Sequence, residues 1–353
     1  MLFAIVLIFM QAGFYLACRA SANRIHAMLD FDAAITSARY AFVADADRMP
    51  RERIEVARAV PGVARVSALK IGPGLWRAAD GSNRYDALLL GVDPEDHPFQ
   101  VPEINAQLDL LQRPDTALFD QRGHPILGEQ VTGTVSELNR RRMTVAGTFS
   151  WGAGFVTQGL AITHERTFSN LFSQRSANDI QLGLIHLEPG ASAGDVLSRL
   201  ASQLPSDVKV WSRAAIEARD RKFFLSDRPI GLMFTSGMVL AVLVGGIILF
   251  QVLASEITSR RSEFATLQAL GYTRGQVYRL VVTQGFLYTL AAFVPASLLA
   301  FVLFRVVREV ARLPMQLTAG LLLAVLAASL LMCLTGALIA SRKVRSADPA
   351  DLF

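Results

Sequence analysis

The residues of this chain best suited to chemistry are five histidines and one acidic knot. His26, His97, His124, His164 and His186 could carry protons or ligate a metal. A metal site needs several ligands at helical or hairpin spacing, and no histidine has such a partner in the sequence. Each is therefore expected at the surface or in a turn. Asp93, Glu95 and Asp96 bring three carboxylates together, but Pro94 and Pro98 interrupt them, which favours a solvated turn. Gly72-Pro73-Gly74 lacks the third glycine and following helix of a dinucleotide loop, and Gly152 and Gly154 are no more specific. There is no G-x-S-x-G elbow, no H-E-x-x-H pair and no Walker A loop. Without a phosphate loop the chain cannot hydrolyse ATP by that route. No catalytic residue, cofactor or metal is assigned, and no nucleic-acid partner is expected. The two cysteines, Cys18 and Cys333, lie in or beside apolar runs and are expected to be small packing residues.

The elements around these residues fall into two populations. Mean hydropathy is positive although 18% of the 353 residues are charged. Very apolar runs must alternate with an ordinary soluble part. A bilayer core needs about 20 apolar residues in a helix. The runs predict transmembrane helices over 1–19, 229–255, 277–304 and 315–340. The first lacks the basic start of a signal peptide and is read as a true span. Its cytoplasmic end is expected upstream of Met1. Residues 20–228 form one long soluble insertion, large enough for its own core or for two lobes. The fold class is thus an α-helical membrane protein with four transmembrane helices. An α+β extracytoplasmic domain is inserted between the first and second of them.

Within the insertion, Ile25–Tyr40 reads as a helix leaving the membrane and Tyr40–Ala46 as a strand. Helices are expected from Pro50 to Arg58, over Ile104–Leu111, over Ala193–Leu204 and over Ile216–Leu225. Strands are expected over Val63–Ile71, Tyr85–Val92, Ala117–Phe119, Val131–Val135, Met143–Phe149, Gly159–Thr163, Ile180–Leu187 and Val208–Trp211. Pro73-Gly74 and Arg140–Arg142 are read as turns. Pro295 should kink the third span.

Glu256–Arg279 is a short basic segment between two apolar runs. Phe264, Leu267 and Leu270 fall at helical spacing, Gly271 stops the helix and Gln276 starts another. So short a helix cannot bury an apolar stripe alone. It either rests on lipid headgroups or docks on a partner. Arg260, Arg261, Arg274, Arg279 and the tail residues Arg342, Lys343 and Arg345 place seven basic residues on one side. Arg305, Arg308 and Arg312 place three on the other. This bias puts the 256–276 loop and the 341–353 tail in the cytoplasm. The insertion and the short 305–314 loop then face the periplasm. No ionisable residue sits at the centre of a span, which argues against an ion-coupled path.

The layout of one span, a large extracytoplasmic domain and three further spans resembles the FtsX/MacB-like permeases of ABC transporters. The segment 263–272, EFATLQALGY, is similar to that family's cytoplasmic E-x-A-x-L-x-A-L-G loop. The ending 340–350, ASRKVRSADPA, is similar to its A-x-R-x-x-x-x-D-P-A tail. Leu7–Gln11 and Arg113–Asp120 resemble the DevC branch. The likeness covers nearly the whole chain. It implies a non-catalytic, homodimeric inner-membrane subunit in contact with membrane lipids. It also implies a separate ATP-binding cassette ATPase, a periplasmic membrane-fusion adaptor and an outer-membrane channel. ATP would be bound by the partner and its motion passed to the periplasm, as in DevBCA-type exporters of glycolipid or other amphiphilic cargo. A regulatory transducer that activates a cell-wall hydrolase, or a lipoprotein-release permease, is the alternative. On this resemblance Phe264, Leu267 and Leu270 are apolar knobs for the ATPase. Arg260, Arg261 and Glu263 orient the contact, and Gly271 turns the chain into the third span.

Overall fold

The structure is a computed structural model that describes residues 1–77, 84–128, 130–260, 263, 266, 270 and 273–345. The chain divides into two compact units. One comprises Met1–Leu16, Ile230–Arg308 and the chain from Met315 onward; the other comprises Ala17–Pro229 with Glu309–Pro314.

In the second unit, the elements in chain order begin with α1 (Leu2–Ala22), which runs in from the first unit, and α2 (Arg24–Met28). There follow β1 (Ala33–Ser37), β2 (Met49–Pro50), α3 (Glu52–Arg58), β3 (Val63–Arg77), β4 (Arg84–Val92), α4 (Pro102–Asn105), β5 (Thr116–Asp120), β6 (Val135–Leu138), β7 (Arg141–Phe149) and β8 (Leu160–His164). Then come α5 (Glu165–Leu171), β9 (Asp179–Ile180), β10 (Leu182–Leu187), α6 (Ala193–Gln203), β11 (Val208–Ser212) and α7 (Arg213–Lys222). The large sheet runs β11-β1-β10-β3-β4-β8-β5-β7-β6, and β6 also pairs with β3 at Trp76 and Arg77. The last six strands of that order therefore close on themselves as a small barrel.

The long strand β3 serves two cores. Its first half gives Val63, Val66 and Ala68 to a layer in which α3 and α6 cover the sheet with Ile54, Ala57, Val196 and Leu200. Its second half gives Trp76 to the barrel interior, among Leu89, Phe119, Leu138, Met143 and Val145. The Trp76 and Phe119 ring centroids lie 4.4 Å apart. The amphipathic spacing of α6 thus does what the sequence implies.

Several sequence expectations fail here. Ile25–Tyr40 is not one helix: α2 ends at Met28 and β1 follows, buried at every position, so no alternation advertises it. Tyr40–Ala46 is not a strand but a 3-10 turn at Val43–Asp45. Ile104–Leu111 is divided between α4 and a 3-10 segment, Leu108–Gln112. Pro73-Gly74 does not turn β3, which runs 15 residues through it. Residues 71, 73 and 75 point their amide positions at an open edge. There Ile71 donates to Gln181 Oε1 at 2.8 Å and Leu75 to Asn139 Oδ1 at 2.8 Å. Pro73 lies between them, where no ladder bond is lost. Gly74 is required because a Cβ there would stand 2.0 Å from Leu89 Cδ1. The turn read at Arg140–Arg142 instead centres on Asn139 and Arg140, both left-handed, with φ of 49° and 67°.

In the first unit, α8 (Pro229–Ser259), α9 (Arg274–Val310) and α10 (Ala319–Arg345) join the start of α1. Among the described residues, four helices are long and apolar enough to cross a membrane. α1 is held by close fits. Phe9 meets Phe293 at 5.8 Å and Phe14 stacks on Phe234 at 5.3 Å. A Cβ at Gly237 would lie 2.6 Å from Gln11, and one at Gly245 2.6 Å from Met332 Sδ and 2.8 Å from Ala4. These glycines are close-approach positions, more than general packing flexibility. Helix α9 continues through Pro295 and on to Val310, beyond the 304 expected for the third run. The fourth run becomes helical only at Ala319. Cys18 and Cys333 are both buried and unpaired.

Candidate functional site

The segment singled out in the sequence joins α8 to α9. Of its expected contact residues, Arg261, Phe264, Leu267 and Gly271 lie outside the described residues. Arg260 is exposed just beyond α8 and pairs with Glu256, one turn back, at 3.5 Å. Glu263 is helical and exposed. Leu270 is 72% exposed at a turn, its amide bonded to Thr266 O at 3.0 Å.

The restart of the helix carries the return half of a capping box. Thr273 precedes α9, and its backbone N–H donates to Gln276 Oε1 at 2.8 Å. The helix therefore begins at Arg274, two residues before the Gln276 that the sequence suggested.

Glu256 is the polar centre of this end of the unit. Its carboxylate accepts from Tyr288 Oη at 3.0 and 3.1 Å, and from Gln284 Nε2. Gln284 also bonds Tyr288 Oη at 3.1 Å. These contacts fasten the end of α8 to α9 well inside that helix, at Gln284 and Tyr288. Sequence reasoning missed Gln284 and Tyr288. Their signal was available: two polar groups four residues apart in an apolar run, a helical spacing that serves one partner. On the neighbouring face of α8, Gln251, Ser255 and Ser259 are all exposed. With Val252, Glu256 and Arg260 they line an open groove of about 470 Å³.

Among the histidines, His97 is an exposed turn residue with φ of 42°. His124 and His164 cap short helices by accepting from Ile126 N and Arg166 N. His186 is half-buried beside Arg65 at 2.9 Å, and burial with that neighbouring charge lowers its pKa. His26 breaks the expectation. It is fully buried, with Nε2 2.7 Å from Asp220 Oδ2. The acidic knot is a 3-10 turn at Pro94–Asp96, capped by Asp93. Among the described residues no group of three or more His, Cys, Asp or Glu is placed to hold a metal ion.

Gly152 and Gly154 belong to a loop that docks on the helical entry to the second unit. Asp120 accepts from the backbone N–H groups of Trp151, Gly152 and Arg122 at 2.8–3.0 Å. Arg24 donates to the carbonyls of Trp151 and Ala153, and its guanidinium covers the Trp151 ring at 4.7 Å. Burial raises the Asp120 pKa against the pull of those three amides, and lowers that of Arg24. Both roles are structural: each charge satisfies backbone groups of one loop.

Residues 235–349 match the family model described as FtsX-like permease C-terminal. The match spans the loop and tail segments on which the resemblance rested. No curated protein matches the chain. Among solved structures, the periplasmic region of MacB from Actinobacillus actinomycetemcomitans aligns at 11% identity and a TM-score of 0.39, over 55% of this chain and 94% of that one. The extracellular domain of the noncanonic ABC-type transporter YknZ from Gram-positive bacteria aligns at 15% identity and a TM-score of 0.35, over 47% and 90%.

Proposed function

We propose that this chain is the membrane subunit of an ABC exporter, driven by a separate ATPase and embedded in the bacterial inner membrane. The match of residues 235–349 to FtsX-like permeases carries the reading. Four helices of membrane-spanning length and apolarity support it. The 256–276 loop docks the ATPase in this reading. The exposed Leu270 is one knob, and Arg261, Phe264, Leu267 and Gly271 complete the contact with Arg260 and Glu263. Glu256, Gln284 and Tyr288 would carry the push into α8 and α9 together, because they bind the end of α8 to the body of α9. The active unit is a homodimer. A periplasmic adaptor and outer-membrane channel complete a DevBCA-type assembly for glycolipid or other amphiphilic cargo.

The test is co-purification of the chain with the ATPase and adaptor encoded beside it, followed by ATPase assay in nanodiscs. Adaptor-stimulated turnover is the expected result. An ATPase complex indifferent to the adaptor would move the assignment to a regulatory transducer. Within that complex, Leu267→Asp should uncouple ATP hydrolysis from export while the chain still inserts. Normal export by this variant would remove the loop from the mechanism.

A further inference from the structure

Two segments of the second unit adjoin apolar helices along the chain: α2, which follows α1, and α7, which leads toward α8. A single buried carboxylate links these two segments. Asp220, on α7, is wholly inaccessible to solvent. His26 Nε2 lies 2.7 Å from it, Tyr40 Oη donates at 2.8 and 2.9 Å, and Val43 N donates at 3.2 Å. Among the described residues, every hydrogen bond to this carboxylate comes from residues 26–43. A second clamp lies two turns earlier on α7. There Arg213 donates to the carbonyls of His26, Leu29 and Phe31 at 2.9–3.2 Å and covers the Phe31 ring at 4.6 Å. Phe42 packs on Phe223 and Phe224 at 5.8 and 5.4 Å.

The breaks in the helices lie outside these clamps. Asn23 separates α1 from α2 with ψ of 4°, and Arg228 is extended between a π-turn and α8. A buried charge held by three donors from one segment is costly to separate, because either half would be left unpaired in a dry site. We infer that Asp220 is the joint that makes the α2 and α7 segments one rigid strut, so that a displacement arriving through α1 is shared with the lead-in to α8. Asp220 is a positioning residue in this scheme. The coupling role rests on the permease reading above; the joint itself does not.

The joint is tested by hydrogen–deuterium exchange on the full chain in nanodiscs. In Asp220→Asn and His26→Leu, amide exchange over residues 24–43 and 213–222 should rise together, by about tenfold, while α3 and α6 keep wild-type rates. His26→Gln retains a donor and should stay within about twofold of wild type. Loosening of one segment alone, or a rise that includes α3 and α6, overturns the joint. If Asp220→Asn does not fold, Tyr40→Phe removes one donor and provides the same comparison at smaller amplitude. The coupling role is read with the co-purified ATPase. Loosened variants should keep ATP turnover and lose export, and unchanged export would overturn the role. If the wild-type chain binds no ATPase, the permease reading and the coupling role fall together, and the exchange data still decide the joint.

Discussion

Asp220 and Glu256 both tie one helix to another, under opposite conditions. Asp220 has no solvent access and takes its donors from a distant stretch of chain. The Glu256 side chain is 18% exposed and takes its partners from two side chains of the next helix and one cation just beyond its own. Water can replace any one partner of Glu256, whereas nothing replaces a lost partner of Asp220. The same functional group thus makes a lock in one unit and an adjustable contact in the other.

The comparison breaks first at Asp220. Replacing it by Leu strands the His26, Tyr40 and Val43 donors in a dry site and should cost about 3–5 kcal/mol, read as a lower unfolding temperature of the full chain. A loss as small as that of an exposed carboxylate would end the distinction. Next, Gly245→Leu in α8 forces a side chain against Met332 and Ala4. A loss of about 1–3 kcal/mol is expected in the same measurement. Tyr40→Phe removes one donor and should cost about 1 kcal/mol. Burial and the adjoining Asp220 carboxylate hold the Tyr40 hydroxyl well above its ordinary 10.0. Its unfolded form ionises near that value while the folded form does not. The stability it adds is therefore full below pH 10 and lost as the pH climbs beyond. Melting curves of Tyr40→Phe should fall less steeply than wild type on the alkaline side. The smallest effect is at Glu256. Its replacement by Gln keeps an acceptor for Tyr288 and should change stability by less than about 1 kcal/mol.

Much of this molecule was legible in the sequence because it is local. The four apolar runs, the helix α6 with Val196 and Leu200 inward, and strands β4 and β7 all announce themselves by length or period. The loop and tail motifs led to the family that residues 235–349 match. What stayed hidden depends on distance along the chain. His26 looks like a stray histidine until α7 brings Asp220 to it from 194 positions away. Strand β1 is buried on both faces, so its pattern resembles a helix continuing from the apolar run. Pro73 reads as a turn unless the edge it occupies is known to have no neighbour. Of the candidate site, the helical spacing of Phe264, Leu267 and Leu270 was legible, but the anchor at Glu256, Gln284 and Tyr288 needed two helices in place.

Strand β3 carries a consequence for anyone who would divide this protein. It is a party wall: Val66 and Ala68 face one room, Trp76 the other. No cut between the layered half and the barrel leaves both with four walls. A fragment ending after Ile71 takes away the barrel's Trp76, and one starting there strips α3 and α6 of the strand they cover. The second unit should be expressed, transplanted or exchanged between relatives only as a whole.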